Sequence, residues 1–340
     1  MKKPLRLGLL GAGNVVETYH LPVLQEMKEI KIAWICDKDL DQAQTLASIY
    51  GISNAFNSLS KCPDVDIVLI TVPVGARRSV LQEVIPRRWN AFCEKPFALT
   101  FTDHSWMLTE ARHHQVRLGI GLLRRKYLTT KISSRIVDAG ILGPIELILG
   151  GEGMRIHRTG RGGDWYQANP QASGGTFFEM GSHLVDQIFN ICSVKNYRIE
   201  KCKQRKWEGL ELETNVRGEF EMENGHLAPF AMVVSRLNDV YNGIVIRCRN
   251  GEIRIDIVPN GTVKICDRSG KVIETLGVPE HRDNALYDAI RKEWKEFIDG
   301  CVVSTDFSDW DTGLLTTSFI DECYKLNEAS LSIVNTGSCP

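Results

Sequence analysis

Two short stretches of this chain bring together residue types that can do chemistry. In one, Glu179 and His183 stand four apart in a segment of helical pattern, and Asp186 follows His183 by three. Side chains at those spacings lie on one helical face. An imidazole that titrates near neutrality is thereby set among carboxylates. In the other, Gly11-Ala12-Gly13 separates the apolar run Leu7 to Leu10 from a helical-looking segment, about Asn14 to Lys28. Glycines let a backbone approach a pyrophosphate, and a helix N-terminus attracts its charge. The turn is a dinucleotide-binding fingerprint with one departure: Val16 occupies the third glycine position of G-x-G-x-x-G. That glycine serves helix–strand packing, so the anion site survives its loss. Gly11, Gly13, Asn14 and Val15 are the expected dinucleotide contacts here.

A second apolar strand, Ile30 to Ile35, ends at Cys36-Asp37. Asp37 stands where a carboxylate accepts hydrogen bonds from the adenosine ribose. A carboxylate there repels a 2′-phosphate, which favours NAD; Lys38 beside it leaves room for NADP. Asp41 to Tyr50 has a helical pattern closed by Gly51. Asp66 to Val72 reads as a buried parallel strand ended by Pro73. Ser79 to Ile85 and Asp103 to His114 read as helices, and Ala91 to Cys93 and Val116 to Gly121 as short strands. Strands alternating with helices over about 120 residues predict a doubly wound parallel sheet, a Rossmann domain over 1–122.

Beyond Leu122 the pattern changes. A helix at Tyr127 to Ala139 gives way to β-type segments at 145–149, 197–207, 213–222, 228–236, 241–249, 252–257 and 262–266. Asn224-Gly225, Asn250-Gly251 and Asn260-Gly261 between them are hairpin signals. They predict an α+β domain over 123–330 with a large, mostly antiparallel open sheet. Helices at about Asn284 to Gly300 and Ser308 to Ala329 close it, and 331–340 reads as a loose tail.

The composition bounds the rest. At 340 residues the chain suits two domains, and 43% hydrophobic with 24% charged residues is a globular composition. A formal net charge of −1 supplies no field to recruit nucleic acid or an anionic membrane. No apolar run is long enough to span a bilayer. Lys2-Lys3 before Leu5 to Leu10 imitates a signal peptide, but Arg6 interrupts the run and cleavage nearby would destroy the glycine turn. The ten cysteines form no C-x-x-C pair and no zinc spacing. A reduced, cytoplasmic chain without a metal is the expectation.

The glycine turn, Asp37, Thr71-Val72-Pro73, Glu94-Lys95-Pro96, Gly174-Gly175, Gly181, His183 and Asp186 occur in an order and at distances that resemble the glucose–fructose oxidoreductase/inositol dehydrogenase (Gfo/Idh/MocA) family. The resemblance covers most of the chain. It implies an NAD(P)-dependent oxidoreductase acting on a CH–OH group of a sugar, cyclitol or related polyol. It also implies a homodimer or homotetramer formed through the C-terminal sheet. Thr71, Pro73, Glu94 and Lys95 join the expected cofactor contacts. Two positions depart from the family: Glu179, where Asp is common, and Arg77, where His often follows the Thr-x-Pro step.

Alcohol oxidation needs a hydride acceptor, a base and support for the developing alkoxide. His183 suits the base. Lys95 suits donation to the reacting oxygen, its charge disfavoured by a neighbouring nicotinamide. Glu179 suits orienting His183 or binding a hydroxyl. Lys95, His183 and Glu179 are the expected catalytic set. Arg155, Arg158 and Trp165 join them as expected substrate contacts, although Trp165 also suits packing. The basic run Arg155, His157, Arg158, Arg161 suits a clamp for a substrate phosphate or carboxylate, or simply a solvated loop. Two other functions stay open: a hydrolase or epimerase in which NAD is oxidised and restored within each turnover, and a non-enzymatic nucleotide sensor.

Overall fold

The computed structural model describes residues 3–155, 174–207, 209–277, 284–303 and 313–335. Among the described residues the strands form two sheets, in two compact units.

The first sheet contains β1 (Leu5–Leu10), β2 (Ile30–Cys36), β3 (Ala55–Phe56), β4 (Ile67–Ile70), β5 (Asn90–Cys93) and β6 (Leu118–Ile120), in the order β3-β2-β1-β4-β5-β6. Every neighbouring pair is parallel. The Rossmann expectation holds, and β3, two residues long, is the strand that period-2 reading passes over. The order reverses at β1, between β2 and β4, so the chain leaving β1 enters the crevice where open α/β sheets bind ligands. Gly8 inside β1 has a packing cause. A Cβ there would lie 2.2 Å from the indole of Trp34, which is fully buried. The helix Leu40–Tyr50 starts on Asp39, whose side chain accepts from Gln42 N at 3.1 Å, and stops at Gly51 in the left-handed region, φ 66°.

The chain passes from the first unit to the second after Leu122, and one later helix returns to the first unit. Residues up to Ala98, Thr102–Leu122 and the helix Ala285–Val303 from Leu286 onward form the first unit. The cause is aromatic. Trp294 stacks on Phe92 of β5 at 4.5 Å, and Phe297 meets Phe92 edge-on at 5.4 Å. Gly119 of β6 makes room for both, since a Cβ there would lie 2.6 Å from Phe297 and 2.8 Å from Phe92.

The second unit is built on β7 (Ile145–Gly153), β8 (Val194–Trp207), β9 (Leu210–Met222), β10 (Leu227–Ser235), β11 (Gly243–Cys248), β12 (Gly251–Ile255), β13 (Thr262–Cys266) and β14 (Val272–Gly277). The order is β14-β13-β12-β11-β7-β10-β9-β8, antiparallel throughout except for β10 with β7. β7 outruns its expected end at 149 through Gly150, Gly151 and Gly153. A Cβ on Gly151 would lie 2.2 Å from the Tyr241 carbonyl oxygen, and one on Gly150 would lie 2.8 Å from Ile188. Those residues look like a strand end in sequence and are a close approach in space. β14 was not anticipated; its residues are mostly exposed and lack an apolar face. The final helix, Leu314–Asn335, runs into the segment expected to be a tail, since no Gly or Pro interrupts it before Gly337.

The core of this unit joins Ile148, Val216, Ile244, Ile246 and Ile253 of the sheet to Leu184, Val185, Ile188 and Ile191 of the helix Ser182–Cys192. Phe220 and Phe230 stack at 3.8 Å. Phe319 of the final helix meets Tyr197, Phe189, Phe220 and Phe230 at 5.0 to 5.9 Å.

Two outcomes follow. Phe319→Ala removes a fully buried ring from this cluster and should cost the second unit about 3–5 kcal/mol, read by urea denaturation with a probe in that unit. A loss under 1 kcal/mol would contradict the packing described. In the first unit His104 is fully buried with its ring 4.6 Å from Phe97, and burial pushes its imidazole down to about 3. The unfolded chain binds a proton there that the folded chain refuses. The stability this group contributes is therefore complete above pH 6.5 and lost as pH falls from 6.5 toward 3. His104→Phe should flatten the fall in stability across that window.

Candidate functional site

The glycine turn is built by its neighbours. Gly11 sits at φ 111°, and a Cβ on it would lie 2.2 Å from Thr71 Oγ1. Thr71 N and Oγ1 both donate to the Leu10 carbonyl, at 2.9 and 3.2 Å. Thr71 thus fixes how closely the β4 exit approaches the turn. Gly13 is the opposite case: nothing lies within 4 Å of where its Cβ would be. The backbone there is open to an approaching ligand, as a pyrophosphate requires. Asn14 and Val15 are exposed beside it.

Asp37 grips this turn. One carboxylate oxygen accepts from Ala12 N at 2.7 Å and the other from Asp39 N at 3.0 Å. Gln42 Nε2 donates to the Ala12 carbonyl at 2.8 Å. Each carboxylate oxygen retains acceptor capacity for a ribose hydroxyl. Asp37 thus shapes the glycine turn through the Ala12 N–H.

The helix leaving the turn spans 14–26. It is π-helical over Val16–His20 and α-helical over Leu21–Glu26. Pro22 explains the irregularity, because it has no N–H to give either Thr18 or Glu17. Both carbonyls are answered by tyrosine hydroxyls instead: Tyr287 to Thr18 at 3.2 Å and Tyr50 to Glu17 at 3.3 Å. The wide turn places His20, 2% exposed, under the Glu94-Lys95-Pro96 segment.

That segment is held from below by Glu94. Its Oε1 meets His20 Nε2 at 2.9 Å, and its Oε2 accepts from Lys95 N at 3.0 Å. Trp294 Nε1 lies 3.0 Å from His20 Nδ1. An indole N–H only donates, so Nδ1 accepts and Nε2 carries the proton given to Glu94. Burial opposes the charge on Glu94. The His20 hydrogen bond and the positive charges of Lys95 and Arg77 outweigh it and hold the carboxyl below its usual range. Arg77, 3% exposed, donates from Nε to the Val72 carbonyl at 3.1 Å and from Nη1 to the carbonyls of Glu94 and Pro96. The Lys95–Pro96 peptide bond is cis.

The second unit carries the other expected residues. Gly174 and Gly175 adopt φ 76° and 99°, and a Cβ on Gly175 would lie 2.7 Å from the Tyr324 hydroxyl and 2.9 Å from Glu211 Oε2. Glu211 of β9 is 2% exposed. Its Oε2 accepts from Phe177 N and from Tyr324 Oη, both at 2.8 Å, and its Oε1 accepts from Thr214 Oγ1 at 2.9 Å. Burial raises this carboxyl above its usual range against those hydrogen bonds. Glu211 therefore caps the helix 176–192, which is π-helical over Phe177–Gly181 and α-helical over Ser182–Cys192.

Glu179 lies in the π-helical part and His183, half-buried, in the α-helical part. Glu179 meets Arg236 Nη2 at 2.5 Å. Arg236 follows β10 on a turn that Ser235 builds, its Oγ accepting from Leu237 N and Asn238 N at 3.1 and 3.0 Å. Glu213 anchors the turn by accepting from Ser235 Oγ at 2.8 Å and Asn238 Nδ2 at 2.7 Å. Asp186 is 1% exposed and held by Arg125, whose Nε donates to it at 2.8 Å and whose Nη2 also donates, with Thr316 Oγ1 at 3.3 Å. Asp186 is thus a structural partner.

Gly11, Gly13, Asn14, Val15, Asp37 and Thr71 gather at the glycine turn; Glu94 and Lys95 form a second cluster in the same unit, and Pro73 is exposed after Thr71. Glu179 and His183 belong to the second unit. Arg155 is exposed, its N donating to Asp239 Oδ1 at 3.4 Å. Arg158 and Trp165, with His157 and Arg161, lie outside the described residues. Sequence reasoning missed His20, Trp294, Glu211 and Arg236. His20 and Trp294 are far apart in the chain, and no spacing joins Arg236 to Glu179. Only the turn chemistry of Ser235 and Asn238 marks that region. Among the described residues no group of three His, Cys, Asp or Glu side chains could hold a metal ion. No described helix is long and apolar enough to cross a membrane.

The sequence model of the oxidoreductase family with an NAD-binding Rossmann fold matches residues 5–122. D-glucoside 3-dehydrogenase of Escherichia coli is 24% identical over 241 residues, 65% of this chain and 68% of that protein. Inositol 2-dehydrogenase of Salmonella paratyphi B is 25% identical over 144 residues, 41% of this chain and 43% of that protein. An uncharacterized oxidoreductase of Bacillus subtilis, YrbE, is 27% identical over 151 residues, 44% of each. The matched stretches thus span from under half to about two thirds of these relatives' lengths. A 3-ketoreductase from Actinomadura kijaniata, solved with NADP and TDP-benzene, shares the fold at a TM-score of 0.80 and 16% identity, over 95% of this chain and 98% of that one. An oxidoreductase from Agrobacterium radiobacter, solved with NAD+, L-tartaric acid and magnesium, does so at 0.76 and 16% identity, over 96% and 97%. Residues 5–122 thus match the NAD-binding Rossmann domain of this oxidoreductase family, and the chain shares its fold with both solved structures.

Proposed function

We propose that this protein is an NAD-dependent oxidoreductase that moves a hydride between the nicotinamide and a secondary alcohol or ketone of a sugar, cyclitol or sugar derivative. The observation that carries this reading is the Glu94-Lys95-Pro96 segment, gripped by a partly buried His20–Glu94 hydrogen bond and by Arg77, in the same unit as an open glycine turn. Such effort to hold one lysine main chain suits a group that must meet a reacting oxygen in a fixed geometry. The glucoside and inositol dehydrogenases among the relatives support the substrate class.

The residues fit the cofactor. Gly11 and Gly13 would admit the pyrophosphate, Asp37 would accept the ribose hydroxyls, and Thr71 and Glu94 line the exits of neighbouring strands. Bound NAD supplies the hydride acceptor. The chain supplies the rest: Lys95 Nζ donates to the reacting oxygen and stabilises the alkoxide, and His183 takes the hydroxyl proton. Glu179, braced by Arg236, presents an acceptor to a neighbouring hydroxyl.

Two tests address this reading. Asp37→Ser removes the charge that excludes a 2′-phosphate, so the preference for NAD over NADP should narrow. Affinity for both should fall as well, because Ala12 N loses its acceptor; titration by fluorescence reads each. Equal binding of NAD and NADP by the unchanged protein would refute the role of Asp37. His183→Asn should keep NAD affinity and lower turnover roughly 10²–10⁴-fold, the usual worth of a positioned base. Lys95→Met should separate binding from rate in the same way. Near-normal single-turnover hydride transfer in His183→Asn would remove it as the base.

A further inference from the structure

We infer that Arg77 is a positioning residue that fixes Lys95 through the main chain on either side of it. The inference rests on the function proposed above for Lys95. β4 and β5 are parallel neighbours, and their exits carry Thr71-Val72-Pro73 and Glu94-Lys95-Pro96. One buried guanidinium ties the two exits together: Nε to the Val72 carbonyl, and Nη1 to the carbonyls of Glu94 and Pro96. The residues immediately before and after Lys95 are thereby held to the strand that also sets the glycine turn, where Thr71 packs against Gly11. The side chain of Glu94 holds the Lys95 N–H from within the segment. The lysine backbone is thus fixed on both flanks.

A guanidinium is suited to this and an ammonium is not. Its donors are spread over a rigid plane, so a single side chain reaches separate acceptors with known geometry. Its charge persists at every working pH, and it helps keep Glu94 ionised. The departure from the family's common His at this position then has a physical content: a short, titratable ring gives way to a permanent multi-donor brace.

Arg77→Lys, in the full chain, keeps the charge and removes the fork; Arg77→Met removes both. Three measurements on each variant decide the matter: hydrogen exchange of peptides covering 90–98 and 5–16, NAD affinity by fluorescence, and single-turnover hydride transfer. In Arg77→Lys the amides of Glu94, Lys95 and Phe97 should exchange at least about tenfold faster, with the glycine-turn peptide unchanged. NAD affinity should stay within about threefold while hydride transfer falls about 10–100-fold, the scale of a lost near-attack geometry. Unchanged exchange at 94–97 in both variants would overturn the inference. So would loosening of both peptides with a parallel loss of NAD affinity, which marks a role in general stability. If the unchanged protein transfers no hydride to any substrate tried, the proposed function fails, while the exchange comparison still decides whether Arg77 holds this segment.

Discussion

One partly buried carboxylate must stay charged and still for the Lys95 segment to keep its geometry. Glu94 is caught between the His20 imidazole and the Lys95 backbone N–H. A carboxylate in partly buried surroundings persists only if its oxygens are met by donors, and here donors are fixed before any ligand arrives. Trp294, from a helix nearly two hundred residues later in the chain, fixes the imidazole tautomer. The same indole stacks on Phe92 of β5. The Lys95 segment is therefore coupled to the aromatic packing that returns the late helix to the first unit.

The two helices that carry expected site residues share a device. Each follows a glycine-bearing entry, and each runs through a π-helical turn before settling into α-helix. Such turns are rare and concentrate at functional sites. At Val16–His20 the cause is visible: Pro22 cannot donate, and two tyrosine hydroxyls answer the carbonyls it leaves. At Phe177–Gly181 the entry is shaped by Glu211 and Tyr324, which leave no room for a side chain on Gly175. In both places a widened turn changes which residue faces which partner, without a chain break.

Much of this architecture was legible in the sequence. The glycine turn, the apolar parallel strands and the Asn-Gly hairpins follow from local periodicity and turn chemistry, and the sheets formed as those signals imply. The glycine turn was legible because a positive φ and a close approach at Gly11 need glycine. What stayed hidden is carried by long-range polar pairing. Nothing in the spacing joins His20 to Trp294, Arg236 to Glu179 or Arg125 to Asp186, because each pair is made by tertiary packing. The return of the late helix to the first unit was hidden for the same reason, since an apolar helical face does not say which sheet it covers. The reach of β7 through Gly150 and Gly151 was masked because glycine reads as an end locally and acts as a close approach globally.

The proposed function requires that a hydride pass between nicotinamide and a secondary alcohol on this chain. The most direct measurement follows NADH fluorescence by stopped flow with the full-length protein, NAD and a panel of free sugars, cyclitols, sugar phosphates and nucleotide sugars. Any compound that responds is then repeated with deuterium at its carbinol carbons. At least one polyol should produce NADH, lasting or transient; deuterium should slow its appearance and be recovered on the nicotinamide ring. Tight NAD binding with no reduction by any member of the panel, even within the first turnover, would contradict the proposed function.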